Sequence, residues 1–136
     1  MITHVLDTSA LLTHYFLERG ADEVNALWQT HPGSLGISAL SVAELRGRLR
    51  ESVDDLVERE AVLRLYSEQL TEVLDVDRVV AKLADQLRES AAGRLPLIDA
   101  VIAATAMTHD AVLVHRDPHF GNLMSGRVRQ FVLPSK

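Results

Sequence analysis

The sequence has no cysteine among its 136 residues. Disulfides and thiolate metal sites are therefore excluded, and an oxidising compartment is not required. No apolar run approaches the ~18 residues that a membrane span needs. The start lacks a basic stretch followed by a long apolar one, so no signal peptide is read. A cytoplasmic protein with no membrane contact is expected. Aromatic residues make up only 4%, and Ala, Leu and Val fill the apolar positions. That favours helices packed with small residues over a β-sandwich. Lysine is almost missing too. Of 14 basic residues only Lys82 and Lys136 are lysines, which leaves 12 arginines. There is no internal repeat, linker or low-complexity tract.

What is present fits one folded domain over residues 1–136. Hydrophobic residues reach 47%, too many for a disordered chain. The net charge of −5 argues against a grip on nucleic acid by bulk electrostatics. The arginines weaken that exclusion. Arg46, Arg48 and Arg50 cluster, Arg127 and Arg129 alternate, and guanidinium forks suit phosphate.

Strand-like and helical segments alternate along the chain. Ile2 to Leu6 reads as a buried strand, followed by helices over Thr8 to Arg19 and Asp22 to Thr30. Leu35 to Ser38 is a second strand, and Ser41 to Arg50 a helix whose Ser-Val-Ala-Glu start has the form of a capping box. A long amphipathic helix is expected over Val53 to Leu70, a third strand over Thr71 to Leu74 and a helix over Asp77 to Ser90. After Gly93, Pro96 stands at the expected first position of an apolar, Ala-rich helix that runs to Thr108. Strands over Ala111 to Val114 and Val128 to Leu133 complete the set. The alternation implies an α/β fold, a mainly parallel sheet with helices on both faces.

Four acids then stand out: Asp7 in ITHVLDTSALL, Glu44 in SALSVAEL, Asp99 in LPLIDAVIAATA and Asp117 in LVHRDPHF. Asp7 ends the first strand, and Glu44 and Asp117 follow the second and fourth. Asp99 opens the helix that leads into the fourth. In open α/β sheets, sites form outside the carboxyl ends of the strands. Each acid has an ordinary local role open to it: a helix cap, half of a capping box, a dipole partner, an Asp-Pro turn. Their convergence on one rim is not explained by those roles. Crowded carboxylates repel one another, and a hard divalent cation such as Mg²⁺ relieves that repulsion through oxygen ligands.

In that order, these four segments resemble the motifs of the PIN domain. In length and layout the chain is similar to VapC-type ribonuclease toxins of toxin–antitoxin pairs. The resemblance spans essentially the whole chain. It implies a three-layer α/β/α sandwich around a parallel five-stranded sheet of order 3-2-1-4-5. It implies a Mg²⁺- or Mn²⁺-dependent ribonuclease that binds one or two ions. Asp7 and Asp99 would be the most direct ligands, with Glu44 and Asp117 completing the catalytic acids and Asp117 also near the metal. Thr8 and Ser9 match supporting hydroxyl residues. An RNA substrate, a cognate antitoxin and a homodimer are implied as partners. Arg116, beside Asp117, and Arg46 are candidate RNA contacts.

One position departs from the family pattern. His115 stands where Thr or Ser is common, and it is read as a residue that supports the site from behind. With His119 it forms an H-x-D-x-H alternation. The alternative function is a PIN-like module that binds RNA or protein with little cleavage. Haloacid-dehalogenase and receiver-type readings fit poorly. The first expects an acid where Ser9 stands, and the second a lysine for which Lys136 is the sole candidate.

Overall fold

Short apolar strands that alternate with helices favour parallel pairing, and the sheet follows that tendency. The structure is a computed structural model that describes residues 1–124 and 126–135; Lys136 lies outside them. The strands are β1 (His4–Leu6), β2 (Leu35–Ser38), β3 (Glu72–Leu74), β4 (Val112–His115) and β5 (Gln130–Val132). They form one sheet in the order β3-β2-β1-β4-β5, with every neighbouring pair parallel. The helices are α1 (Thr8–Tyr15), α2 (Ala21–Thr30), α3 (Ala39–Ser52), α4 (Leu56–Arg64), α5 (Arg78–Ser90) and α6 (Leu97–Thr108).

The two-residue period of the strands divides the core into two clusters. Val5 and Leu113 pack with α5 and α6, against Leu87, Ile102 and Ala103. Leu6, Ile37 and Val114 pack with α1 to α4, against Leu11, Leu45 and Tyr66. The result is the expected α/β/α sandwich. Helix α6 is buried continuously from Asp99 to Ala106. Its four alanines let the backbone lie close to both the sheet and α5, which is why it reads as apolar on all sides.

Several expected boundaries shift, each for a local reason. α1 ends at Tyr15 rather than Arg19. Leu17 takes a left-handed φ of 52°, and the Glu18 N–H turns back to the Thr13 carbonyl at 3.0 Å. The capping box at Ser41 does not form. β2 runs straight into α3, and Ser38 is the cap, its hydroxyl accepting from the Leu40 N–H at 3.2 Å. Ser41 lies within the first turn, fully buried, with no hydrogen-bond partner for its hydroxyl.

The helix expected from Val53 starts at Leu56. The Asp55 carboxylate caps it by accepting from the Val57 and Glu58 N–H groups. Its final stretch, Leu65–Leu70, winds as a π-helical turn, and the Trp28 indole donates to the Leu70 carbonyl. Pro96 is the N-cap of α6 rather than its first residue. The approach to α6 is tied down at Gly93, where an added Cβ would meet the Asn122 side chain at 2.9 Å. The same Asn122 donates to the Arg94 carbonyl at 2.7 Å and accepts the Ala92 N–H on its own carbonyl at 2.9 Å. That anchorage sets where Asp99 lies.

Candidate metal centre and active site

The sheet brings all four acids to one cavity. Asp7, Glu44, Asp99 and Asp117 line a space of about 280 Å³, together with Thr8, Ser9 and Arg48. Asp7 is both cap and wall. Its Oδ2 accepts from the Ser9 N–H at 3.1 Å and from the Ser9 hydroxyl at 2.6 Å, fixing the carboxylate at the head of α1. Its Oδ1 is buried and has no hydrogen-bond partner. A buried oxygen that caps nothing is costly in a metal-free protein.

The other acids are held by different elements. Because α3 begins at Ala39, Glu44 lies in its second turn, one turn deeper than the sequence suggests. One carboxylate oxygen accepts from the Thr8 hydroxyl at 2.8 Å. Asp99 occupies the first turn of α6 and is 8% exposed. Asp117 caps the 3-10 turn Pro118–Asn122 by accepting from the His119 N–H at 2.9 Å.

Ser9 joins the two central strands at this rim. Its hydroxyl donates to Asp7 and accepts the Arg116 N–H at 3.0 Å. His115 is 2% exposed and supports the rim from below. Its Nδ1 accepts the Asp117 N–H at 3.1 Å, so the proton sits on Nε2 and points to the Gln130 carbonyl oxygen at 2.7 Å. The ring packs on Phe120, with centroids 4.5 Å apart. Burial lowers its pKa, which keeps the imidazole neutral. Both ring nitrogens are engaged away from the cavity.

Burial and mutual repulsion push Asp7 and Asp99 upward. Asp7 rises to about 7, chiefly from desolvation, with the Ser9 hydrogen bonds opposing and the Asp99 and Glu44 charges adding. Asp99 rises to about 6, from desolvation first and then from Asp117, with His119 opposing. An unpartnered buried carboxylate oxygen among three further acids fits a hard divalent cation, whose charge would offset these costs.

Sequence reasoning named Arg48 as a candidate to flank the groove but gave no site role to His119 or Glu51. His119 Nδ1 stands 3.0 Å from Asp117 Oδ1 and 3.3 Å from Asp99 Oδ2. Ligand atoms of Asp99, Asp117 and His119 lie within 4.8 Å of one another. The signal lay two residues beyond Asp117. Arg48 and Glu51 also line the cavity. Helical spacing from Glu44 (i+4 and i+7) points to both. Arg46 is not brought to the site. It lies on another face of α3, in an ion pair with Glu60 at 2.8 Å. Arg116 is adjacent to the cavity, but its side chain is 14% exposed and pairs with Glu18 at 2.6 Å.

Among the described residues, no helix is long and apolar enough to cross a membrane. A search of curated proteins by sequence found no match. Solved structures do match over nearly the full chain. VapBC2 from Rickettsia felis, bound to a promoter DNA fragment, aligns with a TM-score of 0.77 at 18% identity, covering 98% of this chain and 100% of that one. DNA-bound VapBC from Salmonella typhimurium gives 0.75 at 23% identity, covering 97% and 98%. VapC20 from Mycobacterium tuberculosis, a toxin described as cleaving the sarcin–ricin loop, gives 0.70 at 14% identity, covering 97% and 100%. These likenesses fix the fold. Residues 4–124 match the sequence family described as the PIN domain. With the sheet order in agreement, the chain belongs to the PIN domain family.

Proposed function

We propose that this chain is a divalent-metal-dependent ribonuclease, the toxin of a toxin–antitoxin pair. The observation that carries the reading is the unpartnered Oδ1 of buried Asp7, in a cavity walled by three further acids. Family membership and the structural neighbours, two VapBC structures and a toxin described as cleaving the sarcin–ricin loop, support it.

Asp7, Asp99 and Asp117 would hold Mg²⁺ or Mn²⁺, as one ion or two. When bound, the metal neutralises the acids, lowers the pKa of a water and stabilises charge on the attacked phosphate. Glu44, steadied through one oxygen by Thr8, orients the attacking water with the other. Ser9 keeps Asp7 in place, and His115 keeps the Asp117 loop in place. Water adds at phosphorus, the bond to the 3′ oxygen breaks, and the products carry a 5′-phosphate and a 3′-hydroxyl. Arg48 on the cavity wall contacts the RNA backbone. Arg116, committed to Glu18, serves less as a free cation than as a wall beside the site. The partner is an antitoxin that places a basic side chain among the acids. A second copy of the chain docks through the apolar surface that Leu56 and Val57 expose at the start of α4.

The test is thermal melting with and without Mn²⁺, for the wild type and Asp99→Asn, followed by analysis of RNA products. Mn²⁺ should raise the wild-type midpoint, and the variant should lose that shift. No response across millimolar Mn²⁺ overturns the metal site. A 2′,3′-cyclic phosphate product overturns the hydrolytic scheme, since it marks attack by the ribose 2′-hydroxyl.

A further inference from the structure

A second cavity, of about 450 Å³, adjoins the acidic one and shares Ser9, Arg48 and Asp117 with it. Its other walls have a different character. Leu12, Phe16 and Pro118 give apolar surface, and Phe16 is 40% exposed although it is one of only three phenylalanines. Glu18 and Arg116 close one side as an ion pair. The Arg116 fork is only half used. Nη2 meets Glu18, while Nη1 is buried with no hydrogen-bond partner.

We propose that this cavity is a subsite for one unstacked RNA base next to the scissile phosphate. The inference rests on the ribonuclease reading above and adds the part of the substrate that the acids do not address. Charge argues for a base over a second phosphate. Among the described residues that line it, Arg48 and Arg116 are balanced by Glu18 and Asp117, a lining without net positive charge. A flat ring matches the apolar wall. Phe16 is exposed for stacking, and the Arg116–Glu18 pair closes the polar side. Single-stranded bases are held in this way, by aromatic stacking with a few edge contacts.

The geometry of α1 explains why Phe16 is there. The helix stops at Tyr15, and the left-handed turn at Leu17 carries Glu18 back toward Arg116. Phe16 is left at the helix end, edge-on to Tyr15 with centroids 4.9 Å apart. Phe16 keeps the helical bond of its N–H to the Leu12 carbonyl, and the turn after it is what brings Glu18 round.

The experiment measures binding of a fluorescein-labelled single-stranded RNA in Ca²⁺, which replaces the catalytic ion to limit cleavage, together with Mn²⁺ binding by calorimetry. Wild type, Phe16→Ala and Phe16→Trp are compared, each with the intact RNA and with a set of RNAs carrying one abasic nucleotide at successive positions. Phe16→Ala should weaken RNA binding by about 5- to 100-fold, the range for one lost base stack. It should leave Mn²⁺ affinity unchanged, and Phe16→Trp should restore RNA binding. At one position the abasic substitution should cost the wild type a similar factor and cost Phe16→Ala almost nothing. The salt dependence should keep its slope in Phe16→Ala, because a stacked base releases no counterions. RNA binding by Phe16→Ala equal to the wild type, or an abasic penalty that persists in it at every position, overturns the subsite alone. A wild type that binds neither Mn²⁺ nor RNA overturns the ribonuclease reading and the subsite with it.

Discussion

Neutralising Asp7 should stabilise the metal-free protein at alkaline pH. In the folded chain Asp7 titrates near 7, against 3.8 for an ordinary aspartate. The folded state therefore keeps a proton that the unfolded state has released. Stability is fully present below about pH 4 and is lost as pH rises through 7. At 1.36 kcal/mol per tenfold change, the whole effect is ~4 kcal/mol, of which about 2 to 3 kcal/mol falls between pH 5 and pH 8. Asp99, raised to about 6, acts in the same direction. Urea unfolding in EDTA at several pH values measures this directly. The wild type should lose stability toward pH 8. Asp7→Asn keeps an oxygen for the Ser9 donors but has no charge to bury. It should follow a flatter curve and exceed the wild type at pH 8 by about 1 to 3 kcal/mol, the ionisation cost less some weakening of the Ser9 hydrogen bonds. Saturating Mn²⁺ should invert the wild-type slope, because the ion takes the place of the protons. A wild type whose stability is flat or rising from pH 5 to pH 8 in EDTA would refute the reasoning, as would an Asn variant no more stable than wild type at pH 8.

Three further outcomes are expected. Ser38→Ala should cost about 0.5 to 2 kcal/mol as a lost helix cap, whereas Ser41→Ala, which removes a buried hydroxyl with no partner, should cost far less; the reverse order in urea unfolding would relocate the cap. His115→Leu strands the Asp117 N–H and the Gln130 side chain and should cost about 2 to 4 kcal/mol, yet Mn²⁺ should still raise its melting midpoint. Loss of the Mn²⁺ shift in that variant would make His115 a ligand. Arg48→Gln should weaken RNA binding and lower its salt slope by about one, while Arg46→Gln, which only frees Glu60, should change neither.

The sheet was legible in the sequence because buried parallel strands are short apolar runs, and those that frame the site end on or near an acid. Boundaries were less so. Ser38 and Ser41 both precede helical residues, and only the direct passage of β2 into α3 decides which hydroxyl meets a free N–H. That passage also moves Glu44 one turn deeper than a helix starting at Ser41 would place it. Arg46 and Arg48 were both candidates to flank the groove, and the helical period puts Arg48 on the Glu44 face. The pairing of Arg116 with Glu18 left no local trace. It joins residues 98 positions apart, and it depends on a left-handed turn at Leu17, a residue type with no preference for one.

The Ser9 bridge has a consequence for biosynthesis. Its hydroxyl, which holds Asp7, also meets the Arg116 backbone 107 positions further along, so the rim is closed only when β4 has docked beside β1. In chain order the first acid stands at position 7 and the fourth at position 117, just past β4. Any premature stop before Val112 yields a product with three carboxylates at most, lacking the strand that closes the rim around them.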